Sequence, residues 1–295
     1  MNQIKGFIYA CLSAATFGLI PLFANTAILQ GVHNDTILSY RYSIAAIAYG
    51  LFLILGKTNL KISRKQTKEI LIAGVGGYGI TAFFLLLAYL YMPTGVATSI
   101  HFLYPVVVTI LMSLIYKERL SIWVKMALLI AIAGTVCLSW QKGRVQWEGI
   151  VFILLSTITY GSYLVALNRP TLKNMNPSTL TFWVLLFTAL FYLLLGFSRG
   201  SLVWISSFSF LKDMFLLGIV STVISARLIV SAVKLIGSVS SSILGTLEPI
   251  TAILTGIFFF HEPFTLINFI GFIFIVAAVI MVLYNGKKNS SPTIS

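Results

Sequence analysis

The chain has 295 residues, 58% of them hydrophobic and only 9% charged, with a formal net charge of +13 at pH 7. A water-soluble domain carries roughly 25% charged residues, so the composition excludes an ordinary soluble enzyme and makes the bilayer the solvent for most of this surface. The positive charge does not point to nucleic acid, because the basic residues fall mainly between apolar runs. There they act as topology signals and as contacts for membrane lipids with anionic headgroups.

Apolar runs of about 20 residues, enough to cross a hydrocarbon core of roughly 30 Å, recur along the whole length. They predict an all-α integral membrane protein of about ten transmembrane helices, at 4–29, 35–55, 69–91, 94–116, 121–140, 147–168, 178–197, 213–235, 237–260 and 263–284. The first run follows Lys5, and Ile8-Tyr9-Ala10-Cys11 loosely resembles a lipoprotein cleavage box. It continues to about Ala24, longer than a signal core, so it is read as an uncleaved first helix. Asn34-Asp35 and Asn176-Pro177-Ser178 supply capping and N1-proline chemistry at helix starts. Met92-Pro93-Thr94-Gly95 parts the third and fourth spans, Gly237-Ser238 the eighth and ninth, and Glu262-Pro263 opens the tenth. Gly74, Gly76 and Gly79 spell G-x-G-x-x-G but lie inside a span, with no acidic residue from Val75 to Lys117. They are read as sites of close helix approach or bending, not as a dinucleotide fingerprint. Cys11 and Cys137 both lie in apolar segments and imply no disulfide framework.

The loops set the orientation. Lys57, Lys61, Arg64, Lys65 and Lys68 fall on one side with Lys117, Arg119, Arg169, Lys173, Lys287 and Lys288. The other side holds only Lys142, Arg144, Arg199 and Lys212. The positive-inside rule therefore places both termini in the cytoplasm, and a polytopic helical protein of the inner (plasma) membrane is expected.

The chain repeats itself. Tyr104-Pro105 is followed by Glu118, and Glu248-Pro249 by Glu262, at one and the same spacing. That shift also sets Leu103 on Leu247, Ile110 on Leu254 and Thr94 on Ser238. Gly6, Ser13, Phe17 and Gly18 align with Gly149, Ser156, Tyr160 and Gly161. Two repeats of five spans each, 1–140 and 141–285, followed by a polar tail at 286–295, are expected. An odd number of spans makes the repeats inverted, an architecture of secondary transporters with sites near the midplane at the repeat interface.

These residues also carry a resemblance. Ser13 with Phe17-Gly18, Arg41, Leu103-Tyr104-Pro105 leading to Lys117-Glu118-Arg119-Leu120, Leu247-Glu248-Pro249-Ile250 leading to His261-Glu262-Pro263, and Gly271 resemble the paired EamA-type domains of the drug/metabolite transporter superfamily over nearly the whole chain. Pro263 departs from it, standing where the family more often has Arg or Lys. The resemblance implies a transporter and leaves the substrate open.

Glu248 is the sharpest candidate site residue. It lies about eleven residues into its span, roughly 16 Å along the helix, where an ionised carboxylate needs a cavity or a partner. Ser241, Gly245, Ala252 and Thr255 share its face. The alternative is a structural ion pair with Arg41 or Arg227. Arg227 is read as a cavity residue, sharing a face with Ser231 and Lys234. Arg41 could snorkel or hold a substrate carboxylate, with a structural or gating role favoured. His101 is the histidine inside a span, on one face with Thr98, Pro105, Thr109 and Met112. It either bonds to a neighbouring helix or serves in proton coupling. The predicted substrate-binding set is His101, Tyr104, Arg227, Glu248, Ser241 and Thr98. Both charge signs in one cavity suit a zwitterionic or weakly polar metabolite such as an amino acid, moved by a secondary transporter and read as an exporter. Two other functions compete: a lipid-intermediate flippase of the same fold, and an intramembrane enzyme. For the enzyme, the sequence offers no G-x-S-G, H-E-x-x-H or paired intramembrane aspartates. No cofactor, metal or Walker motif is expected.

Overall fold

An apolar chain without water must satisfy its backbone internally, and this one does so by helices. The computed structural model describes residues 2–29, 31–92, 94–118, 120–138, 146–205, 207–260 and 265–290, and every regular element among them is helical. The first half comprises α1 (Asn2–Phe17), α2 (Ile20–Leu29), α3 (Asn34–Leu55), α4 (Arg64–Ile70), a π-helical stretch Leu71–Gly79, α5 (Ile80–Ala88), α6 (Thr94–His101), α7 (Tyr104–Tyr116) and α8 (Ile122–Leu138). The second comprises α9 (Trp147–Ala166), a short α10 (Pro170–Lys173), α11 (Pro177–Ser198), α12 (Phe208–Gly218), a π-helical stretch Ile219–Ile224, α13 (Ser225–Ile236), α14 (Ser238–Leu244), a 3-10 turn Gly245–Leu247, α15 (Glu248–Phe260) and α16 (Leu266–Ser290). Among the described residues, six helical stretches are long and apolar enough to cross a membrane: Asn2–Ala24, Asn34–Leu55, Arg64–Ala88, Trp147–Ala166, Pro177–Ser198 and Phe208–Ile236. Tyr104–Tyr116, Ile122–Cys137 and Leu266–Val282 are shorter apolar helices.

Several predicted spans are interrupted, for physical reasons. Pro105 sits in the first turn of α7 and Pro249 is the second residue of α15. Proline lacks the N–H that would continue a helix but fits a first turn, so each helix restarts there. The faces predicted around His101 and Glu248 are cut at these points. The first span bends between α1 and α2, at Gly18. At the other end, α16 runs to Ser290, past the predicted start of the polar tail. Pro93, Arg119, Lys142, Arg144 and His261-Glu262-Pro263, which entered the sequence reading, lie outside the described residues.

The two halves interlock by reciprocal contacts between aligned residues. Ser13 on α1 donates its hydroxyl to the Ser225 carbonyl at 2.9 Å, and Ser156 on α9 donates to the Thr81 carbonyl at 3.0 Å. Thr81 and Ser225 stand as far apart in the chain as Tyr104 and Glu248, and each follows a π-helical stretch. A Cβ on Gly18 would lie 2.6 Å from the Glu248 carbonyl oxygen and from Thr251 Cβ. A Cβ on Gly161 would lie 2.8 Å from Val107 and 3.4 Å from the Tyr104 carbonyl oxygen. Thus α1 packs on α13, α14 and α15, while α9 packs on α5, α6 and α7. The equivalent helices α3 and α11 pack on each other, as do α8 and α16. Gly134 permits the second pairing, its Cβ position 3.0 Å from the Gly271 carbonyl oxygen. The glycine-rich π stretch lies against α9 and α11: a Cβ on Gly77 would reach 2.8 Å from that of Tyr163, and one on Gly74 3.1 Å from Val184.

Candidate substrate cavity

The interlock leaves a hollow at its centre. The bend after α1 exposes Phe17 and Ile20, α3 contributes Arg41 and Tyr42, and the third span Tyr78, Thr81, Ala82 and Leu85. His101 of α6, Tyr160 of α9 and Glu248 of α15 complete a cavity of about 40 Å³. A smaller one of about 10 Å³, lined by Gly18, Tyr89 and Thr98, shares Ile20, Leu85, His101 and Glu248 with it. These volumes admit a water molecule or two, not a metabolite.

The walls are aromatic with few charges. Tyr104 stands edge-on to Tyr160 with ring centroids 4.7 Å apart, and the His101 ring is 5.6 Å from Tyr160. Arg41 is buried; its Nε donates to Thr222 Oγ1 at 2.7 Å, and its guanidinium lies 5.2 Å from the centre of the Tyr42 ring. The Thr222 hydroxyl donates onward to the Leu217 carbonyl at 2.8 Å. Among the described residues the acid–base contacts are His33–Asp35 and Arg199–Asp35, beside the start of α3, and Lys212–Asp213 within α12. The ion pair weighed for Glu248 with Arg41 or Arg227 is not formed.

Three of the six predicted residues, Thr98, His101 and Glu248, line these hollows. Tyr104 stands behind them, its ring against Tyr160 and its hydroxyl where a side chain at Gly245 would be. Ser241 is fully buried on α14, its hydroxyl without a hydrogen-bond partner among the described residues, and is not part of either wall. Arg227 is also absent from both walls. Its Nε donates to Ser178 Oγ at 3.0 Å and its Nη1 to the Ser231 hydroxyl, so it fastens α13 to the start of α11. Lys234 donates to the Met175 carbonyl beside it. The cation on the cavity wall is Arg41, which the sequence reading left outside the binding set; its place beside Tyr42 inside an apolar run was the available signal.

A larger hollow, about 350 Å³, opens between α3, α11 and Leu202–Val203–Trp204. Its walls, Ser39, Tyr40, Ser43 and Leu193 among them, carry no charge to orient a polar solute.

The model of the EamA-like transporter family matches the chain twice, over residues 4–140 and 147–284. A protein of Archaeoglobus fulgidus, described as an uncharacterized transporter, is 29% identical over 60% of this chain, which spans 62% of that relative's length. Protein PecM of Dickeya dadantii is 25% identical over 84% of this chain and 85% of its own. The uncharacterized transporter YojE of Bacillus subtilis is 25% identical over 96% and 95%. A protein crystal structure superposes with a TM-score of 0.80 over 97% of this chain and 99% of that one, at 16% identity, a likeness of fold alone.

Proposed function

The chain belongs to the EamA-like transporter family, and we propose that it is a secondary transporter moving a small polar or amphipathic metabolite, such as an amino acid, through the cavity between its halves. The observation that carries this reading is the pair Arg41 and Glu248. One comes from each half, both line the same hollow, and neither has an ion-pair partner among the described residues. Charges held in a low-dielectric enclosure without partners are costly, which fits a site whose partner comes and goes. The halves are inverted repeats of five spans, with both termini cytoplasmic in the inner membrane, and rocking of one half against the other opens the cavity to each side in turn. Export is the proposed direction. Glu248 binds a substrate amine or carries a coupling proton, with His101 beside it.

The test is uptake of radiolabelled metabolites into proteoliposomes of purified protein, with and without an imposed pH gradient. Accumulation of a metabolite, impaired at sub-saturating concentration in Glu248→Gln while that variant stays folded and inserted, is the expected result. Wild-type transport by Glu248→Gln contradicts the assignment of this site. The apolar side hollow near Trp204 favours a second reading, a lipid flippase, for which fluorescent lipid would cross the vesicle membrane and soluble metabolites would not.

A further inference from the structure

We propose that Arg41 on one side, and Glu248 with His101 on the other, are the two poles of a single site for a zwitterion bearing a carboxylate and a primary ammonium. This rests on the transport reading and names its substrate class.

The assignment follows from counting donors and acceptors. The Ser156 hydroxyl has one proton and lies 3.0 Å from the Thr81 carbonyl oxygen and 3.1 Å from His101 Nδ1. A carbonyl oxygen only accepts, so the hydroxyl proton goes to Thr81. The contact with His101 is then a hydrogen bond only if Nδ1 carries the ring hydrogen. In the neutral ring this leaves Nε2 as an acceptor, and Nε2 has no partner among the described residues. The Glu248 carboxylate has none either, and both groups line both hollows. This side of the cavity therefore offers the acceptor Nε2 and carboxyl oxygens, which suit the three N–H donors of an ammonium.

Arg41 is the converse. A guanidinium has five N–H donors, and Nε is committed to Thr222. Thr222 gives its own proton to Leu217 and so can only accept from Nε. With the Tyr42 ring beside it, this fixes the plane of the fork. The Nη1 and Nη2 groups meet no acceptor among the described residues. A planar fork of free donors matches a carboxylate in two-point fashion. An amine alone would leave Arg41 unmatched and an acid alone would leave Glu248 unmatched. A site of buried polar groups rejects an analogue that leaves one unpaired far more strongly than one that lacks a methylene.

The experiment uses the full chain in proteoliposomes. The twenty common L-amino acids are screened for counterflow, each transported one then competed with its decarboxylated amine and its deaminated acid. At least one amino acid should be transported, with both analogues weaker inhibitors by about tenfold or more. Arg41→Gln should raise the half-saturating amino-acid concentration by about tenfold or more and leave inhibition by the amine unchanged. Arg41→Lys, which keeps the charge but not the fork, should not restore it. Glu248→Gln should do the reverse, sparing inhibition by the acid. A merely structural role would weaken all three ligands alike, and that result overturns the proposal. Transport of nucleosides or sugars but no amino acid also overturns it while the transport reading stands. No uptake of any metabolite removes the transport reading, and the site with it.

Discussion

Gly18 and Gly161 occupy aligned positions but face different neighbours. Gly18 is backed by the backbone carbonyl of Glu248, which cannot rotate away, whereas Gly161 is backed chiefly by the side chain of Val107. Gly18→Ala should therefore cost about 1–3 kcal/mol by overpacking and Gly161→Ala less. Unfolding midpoints in detergent would rank them, and equal midpoints would contradict the asymmetry. The two intramembrane arginines separate in the same way. Arg227→Gln should lose stability by about 1–3 kcal/mol through its bonds to Ser178 and Ser231 and keep transport within about twofold of wild type once folded. Transport abolished in a folded Arg227→Gln would return that residue to the cavity. Glu248 was legible in the sequence because a carboxylate deep in an apolar run announces itself. Choosing between Arg41 and Arg227 was not possible there. Sequence gives depth along a helix, not which distant hydroxyl the side chain meets, and Thr222 and Ser178 lie 181 and 49 residues away from them.

At the scale of elements, the irregular segments matter as much as the helices. The breaks before Pro105 and Pro249 could be read from proline chemistry. The π-helical stretches Leu71–Gly79 and Ile219–Ile224 could not, because a π turn has no residue signature; the cluster of glycines in the first was the only hint. Stretches of this kind occur often at functional sites. In each half a carbonyl just beyond the π stretch receives a serine hydroxyl from the other half. Ser13→Ala and Ser156→Ala should each destabilise by about 0.5–1.5 kcal/mol, and additively, since they belong to separate contacts. Strong non-additivity in the double variant would mean that the two crossings act as one unit. Ser156→Ala alone should also disturb the pose of the His101 ring.

For the whole molecule, composition and the repeated Pro-to-Glu spacing were enough to predict an all-helical membrane protein of two similar halves. Which helix of one half packs on which helix of the other was not legible, because contacts between hydroxyls and backbone carbonyls leave no pattern in side-chain type. The ends of the α3–α11 pair are fastened separately. At one end Thr179 Oγ1 donates to the Asn59 carbonyl and Trp183 Nε1 to the Leu60 carbonyl, at 2.9 and 2.8 Å. At the other, Ser201 Oγ donates to buried Asp35 at 2.9 Å, and Arg199 lies 3.5 Å from the same oxygen. In the proposed orientation the first end is the cytoplasmic one. In intact cells an impermeant thiol reagent should label Trp204→Cys and spare Lys61→Cys; the reverse pattern would invert the topology.

The central claim is that the hollow shared by the two halves is the path of the substrate. Leu85 lines both of its parts, and Cys11 and Cys137 can be replaced to leave a single thiol in Leu85→Cys. The decisive measurement is the rate at which that thiol reacts with a small methanethiosulfonate reagent in oriented vesicles, with the reagent on either side. Reaction from both sides, slowed by the transported metabolite and blocking uptake once complete, is the result predicted. A thiol reached from neither side while uptake proceeds normally would contradict the account.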